Sequence, residues 1–130
     1  MRGALERFAD GNGFWAGVRF EQKLAGCVIL NQIDWGHLSA DIGYWLGREY
    51  QGQGLVALRV EAAVKQCFED LALHRLEIRV AQENIRSRRV PERLGFREEG
   101  LLRQANRLHG TYVDLVVFSM LAHEWKEARE

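Results

Sequence analysis

Apolar and polar positions alternate with a strand period in some stretches of the chain and with a helix period in others, and their order predicts the architecture. Residues 75–81 are the plainest strand: Leu76, Ile78 and Val80 share one face, Glu77 and Arg79 the other. Residues 14–20 and 24–32 read as a hairpin turning at Glu21-Gln22-Lys23, and 38–46 as a third strand. From Leu55 to Leu71 the period changes: Val56, Val60, Val64, Cys67 and Leu71 form one stripe, with Arg59, Lys65, Glu69 and Asp70 off it. That is a long helix packed on a sheet. A short helix opening at Asn84 or a neighbour carries Ile85, Val90 and Leu94, is bent or tightened by Pro91, and stops at Gly95 in a left-handed cap. Strands are expected over 96–103 and 112–121, joined by Gln104 to Thr111, with a terminal helical turn or two over 122–128. Residues 4–10 look like the end of a helix, closed by the Asp10-Gly11-Asn12-Gly13 turn cluster. The resulting order of strands and helices indicates an α/β (α+β) fold, a mixed sheet with helices on its faces.

Composition narrows the function. With 130 residues, 47% hydrophobic and 28% charged, the chain reads as one soluble globular domain, residues 1–130. Its 18 basic and 18 acidic residues cancel, so no global field draws it to nucleic acid or an anionic membrane. The arginines at 86, 88, 89, 93 and 97 are interleaved with only one aromatic, Phe96, and read as a solvated helix face rather than a nucleic-acid patch. No long apolar run or signal peptide occurs, so a cytoplasmic protein is expected. Cys27 and Cys67 lack partners at zinc-ligand spacing and read as core residues, with no metal site.

The stretch from Asp41 to Val56 runs from an apolar strand through a polar loop into a helix start. Gly52 and Gly54 remove side chains that would keep a ligand off the backbone, and the helix start offers unpaired N–H groups and a positive dipole end. A diphosphate suits that corner. Gly52-Gln53-Gly54-Leu55-Val56-Ala57 fits the letter of the dinucleotide fingerprint, with Glu77 at the acidic position. Yet residues 47–51 separate strand from glycines, and the preceding hairpin does not suit a doubly wound sheet. A nucleoside-triphosphate loop is excluded, because no Lys-Ser or Lys-Thr follows the second glycine.

Gln51-x-x-Gly54-x-Val56 resembles the Q/R-x-x-G-x-G/A loop of the GNAT superfamily of acyl-CoA-dependent N-acyltransferases. Asn84-x-x-Ser87, followed by Glu92-Arg93-Leu94-Gly95-Phe96 and Glu99-Gly100, is similar to the second half of that family's acetyl-CoA site. His109-Gly110-Thr111-Tyr112-Val113-Asp114 further resembles the ribosomal-protein N-terminal acetyltransferase (RimJ/RimL-type) branch, and the likeness runs from about residue 14 to 125. The resemblance implies a mostly antiparallel central sheet with a splayed strand pair, acetyl-CoA as cosubstrate and a primary amine, foremost a protein N-terminal α-amine, as acceptor. Polyamines or other small amines are the alternative acceptors, and a coenzyme-A-binding module without turnover is the alternative to an enzyme. Against full-length relatives the N-terminal strand and helix look truncated, which would expose the edge of strand 14–20 and favour a homodimer.

The resemblance also assigns residues. Trp45 and Leu46 would offer backbone groups to the pantetheine, Gln51, Gly52, Gln53, Gly54, Leu55 and Val56 would hold the diphosphate, and Asn84 would bond the arm from the opposite side. Asn84 is equally suited to cap a helix. Arg88 would meet the 3′-phosphate, and Ser87 would protonate the leaving thiolate during direct attack through a tetrahedral intermediate. The tyrosine acid of many GNAT enzymes is replaced here by Pro91, and Val56 stands where Gly or Ala is usual. Asp41, on the strand leading into the site, is the first candidate base and His109, in the hairpin connection, the second; the position that holds a glutamate in the branch is Asn106 here, which cannot act as a base. An α-amine needs little help: about a tenth is neutral at pH 7, against well under a thousandth of a lysine.

Overall fold

In the computed structural model, which describes residues 5–7, 14–20, 23–46 and 55–129, seven strands form one sheet. They are β1 (Leu5–Arg7), β2 (Phe14–Phe20), β3 (Lys23–Asp34), β4 (Ser39–Leu46), β5 (Arg75–Ala81), β6 (Arg97–Leu108) and β7 (Thr111–Leu121). Their spatial order is β1-β2-β3-β4-β5-β7-β6. All neighbours are antiparallel except β4 and β5, which are joined by helix α1 (Leu55–Lys65) and its π-helical extension Gln66–Asp70. Helix α2 (Ile85–Arg93) links β5 to β6, and α3 (Ala122–Ala128) follows β7 directly.

The apolar patterns explain the layers. Val60, Val64 and Cys67 on the α1 stripe are fully buried against Val28, Leu30, Ile42, Leu76 and Ile78 of the sheet, as the helix period predicts. Val90 of α2 and Trp125 of α3 join the same cluster. All three helices therefore lie on one face of the sheet, rather than on both faces as the element order suggested. The opposite face carries the out-of-phase residues of the strands, among them Asn31, Asp41, Glu77, Arg79 and Ser119.

Residues 4–10 do not end a helix. Leu5–Arg7 is a strand paired antiparallel with β2, Leu5 opposite Ala16 and Arg7 opposite Phe14, so part of the β2 edge expected to be bare is covered. The β6–β7 connection is also shorter than the sequence suggested. His109 and Gly110, at φ 52° and 80°, form a two-residue turn with both central residues left-handed, which matches strand twist in a tight hairpin. β6 continues past the expected end at residue 103, because a bulge between Leu102 and Asn106 breaks the alternation there. The Asp114 carboxylate satisfies that bulge by accepting from the Gln104 N–H at 2.7 Å.

Candidate active site

Strands β4 and β5 start side by side and then part. Their pairing runs from Ser39 opposite Arg75 to Ile42 opposite Ile78 and ends there, although β4 continues to Leu46 and β5 to Ala81. Among the described residues, β4 past Ile42 pairs only with β3, and β5 past Ile78 only with β7. Backbone groups of 43–46 that face the gap thus have no β5 partner, and an extended ligand could satisfy them. Trp45 and Leu46 sit on this stretch as predicted, with Trp45 51% exposed. Val56, half-buried against the core, lies in the first turn of α1, which opens at Leu55. Gln51, Gly52, Gln53 and Gly54 lie outside the described residues.

The first turn of α2 stands across the gap. Asn84 is its N-cap, and its Oδ1 accepts from the Ser87 N–H at 3.1 Å. The capping role is thus filled by one atom of the side chain, and the amide nitrogen is the part left for a ligand. The Ser87 carbonyl accepts from the Tyr44 hydroxyl at 2.6 Å. Arg88 is held on the turn's other side: its Nη1 donates to the Gln82 carbonyl at 3.1 Å and its Nη2 lies 3.6 Å from Glu98. The guanidinium expected to meet a phosphate is therefore already engaged with its own fold.

Asp41 lies one residue before the parting, on the sheet face opposite the helices. It is half-buried, and burial raises its carboxyl above the ordinary aspartate value, aided by the nearby Glu77 charge and opposed by Asn31 and Arg79. The Asn31 amide approaches it at 3.5 Å. Ser87 and Asp41 consequently flank the gap from opposite faces of the sheet. His109 does not join them: it sits exposed at the tip of the β6–β7 hairpin. Asn106, also on that hairpin, accepts from the Arg107 N–H at 2.9 Å.

Beside Asp41, Arg75 forms a two-pronged pair with Glu99 (3.0 and 2.8 Å) and also reaches Glu77 at 2.7 Å. Ser119 donates to Glu99 at 2.7 Å, and Arg79 lies 3.2 Å from Glu77. This network was missed from sequence, because its members come from three strands and only the register aligns them. Arg75 and Ser119 together pull the Glu99 carboxyl down to about 2. Its stabilising contribution is complete above the ordinary 4.5 and is lost as pH falls toward about 2. Glu99→Gln is expected to flatten the fall in melting temperature across that window, by a few degrees at most because the side chain is 40% exposed. Thermal melts of both proteins from pH 6 to pH 2 check it.

The parted strands and the helix turn beside them leave a gap that an extended ligand could enter. Consistently, the family model described as Acetyltransferase (GNAT) domain matches residues 1–97. This chain belongs to the GNAT acetyltransferase family. It is 38% identical over 120 residues to "Putative ribosomal N-acetyltransferase YdaF" of Bacillus subtilis (strain 168), covering 92% of this chain and 66% of the relative. It is 33% identical over 101 residues to the ribosomal-protein-serine acetyltransferase of Escherichia coli (strain K12), covering 78% and 56% respectively. The chain thus spans about two-thirds or less of these curated relatives. Among solved structures, a spermidine N-acetyltransferase from Vibrio cholerae superposes with a TM-score of 0.84 at 30% identity, covering 94% of this chain and 73% of that one. The microcin C7 self immunity acetyltransferase, solved with acetyl-CoA and AMP, superposes with a TM-score of 0.77 at 31% identity, over 86% and 62%. Among the described residues no helix is long and apolar enough to cross a membrane.

Proposed function

We propose that this chain is an acetyl-CoA-dependent N-acetyltransferase acting on a primary amine, and that the amine is a protein N-terminal α-amine of the ribosomal-protein type. The parting of β4 from β5 after Ile42 and Ile78, with Asn84 and Ser87 on the helix turn that Tyr44 of β4 bonds, carries the reading. Acetyl-CoA, as cosubstrate, supplies the reactive thioester. Trp45 and Leu46 offer it backbone partners, the loop from Gln51 to Val56 takes its diphosphate, and the Asn84 amide nitrogen donates to its arm. Arg88 keeps its hydrogen bond to the Gln82 carbonyl and would have to exchange its 3.6 Å contact with Glu98 to meet the 3′-phosphate. Ser87 returns a proton to the departing thiolate on the helix side of the sheet. Asp41 accepts the proton of the incoming amine on the opposite side. His109 has no part in this scheme. The thiols of Cys27 and Cys67 are free, which supports a cytoplasmic location.

Two observations favour an α-amine over a polyamine. Two of the relatives named above carry ribosomal-type names. Glu77 and Glu99 on the open face are already neutralised by Arg75 and Arg79, leaving little negative charge for a polycation. Likeness to a spermidine N-acetyltransferase keeps small polyamines as the second reading. The test is a product screen by mass spectrometry with acetyl-CoA and a panel of N-terminal peptides, polyamines and aminoglycosides. Peptide α-N-acetylation is expected. Acetylation of small amines alone would overturn the acceptor class, and acetyl-CoA binding without coenzyme A release from any acceptor would make the chain a binding module.

The proposal includes a homodimer. Strand β6 is a sheet edge exposed along its full length, with Leu101, Leu102 and Leu108 on it and Tyr112 beside it. A monomeric mass by light scattering would overturn this part.

A further inference from the structure

One carbonyl in the first turn of α2 has lost its regular donor. In an α-helix the carbonyl of residue i accepts from the N–H of residue i+4, which for Ser87 is Pro91. Proline has no N–H, and its ring also crowds that carbonyl away from the helix axis. Pro91 is fully buried, and Ser87 is half-buried, so an unpaired carbonyl there is costly.

The missing donor comes from another element. Tyr44 lies on β4 two residues past Ile42, where the strand has already left β5, and its hydroxyl donates to the Ser87 carbonyl at 2.6 Å. Its ring packs against the core that α1 and α2 share. Burial raises the phenol above its ordinary value, so the hydroxyl keeps its proton at neutral pH. The bond therefore joins β4, past its parting from β5, to the first turn of α2. On the other side Arg88 ties the same turn to the Gln82 carbonyl and to Glu98.

We infer that Tyr44 is a positioning residue: its hydroxyl replaces the N–H that Pro91 lacks, and so fixes the first turn of α2, with Asn84 and Ser87, across the β4–β5 gap. The effect on ligand binding rests on the acyl-CoA reading proposed above. The coupling of Tyr44 to Pro91 does not, because it follows from the helix alone.

The test compares wild type, Tyr44→Phe, Pro91→Ala and the double variant, using calorimetric titration with desulfo-coenzyme A and thermal melts of the free proteins. Phenylalanine keeps the ring and removes only the donor. Tyr44→Phe is expected to weaken desulfo-coenzyme A binding about tenfold and to lower the melting temperature by several degrees. In the Pro91→Ala background residue 91 donates its own N–H, and Tyr44→Phe is expected to change neither quantity appreciably. A residue that only stabilised the fold would lower the melting temperature but leave binding, measured well below that temperature, unchanged, which would overturn the positioning role. Equal losses in both backgrounds would overturn the coupling to Pro91. If wild type fails to bind desulfo-coenzyme A, the acyl-CoA reading and the positioning role fall together, while the melts still decide the coupling.

Discussion

Asp41→Asn is expected to lower kcat/KM for an α-amine acceptor about a hundredfold or more at neutral pH, the usual range for loss of a general base. The substitution is nearly isosteric and keeps a polar contact for the Asn31 amide, so the fold should survive. What it removes is a half-buried carboxylate at the end of the β4–β5 pairing, held above the ordinary aspartate value chiefly by burial. A raised carboxyl is a better base than an exposed one. It also imposes an acid limb: kcat/KM of the wild type falls as pH drops through that raised value, because the protonated form cannot accept a proton. The variant should lack this limb. Its deficit should narrow above about pH 8, where most of an α-amine is already neutral. A pH profile of both proteins measures all three features, and an unchanged rate at pH 7 would remove Asp41 from the mechanism.

Gly54→Glu is expected to abolish acetyl-CoA binding while leaving the fold intact. The expected loss is both electrostatic and steric. A diphosphate held on backbone N–H groups needs the chain bare at that point, and a carboxylate about 4 Å from one phosphate charge repels it by about 4 kcal/mol at an effective dielectric of about 20. That corresponds to a loss well above a hundredfold. Calorimetric titration, with circular dichroism to establish folding, checks it. Binding that survives the substitution would reduce the loop to a tight turn.

These two expectations come from different levels of the molecule. The glycine loop is an expectation from sequence alone, since the spacing of Gly52 and Gly54 ahead of a helix carries its chemistry within a few positions and both glycines lie outside the described residues. The placing of Asp41 was not legible in the sequence. That it sits at the edge of the gap, beside Glu77 and within reach of Asn31, depends on the register that sets Asp41 opposite Glu77 and Asn31 opposite Asp41. His109 was likewise read only as part of a polar connection, and the structure places it in a two-residue turn at an exposed hairpin tip.

Periodicity determined the local elements: β5 was read with its observed limits, the α1 stripe is buried as drawn, and Gly95 takes its left-handed cap at φ 89°. It stopped β6 short at the bulge that breaks its pattern, and it missed the three-residue β1. Motif spacing determined the family. Tertiary structure alone decided that the helices share one face, that β4 and β5 part after Ile42, and that Tyr44 completes a helix interrupted by Pro91. The physical reason is range. A side-chain period and a glycine's freedom act within one element. A hydrogen bond between residues 44 and 87, or an ion pair joining residues 75 and 99, exists only once the sheet has set which distant residues are neighbours.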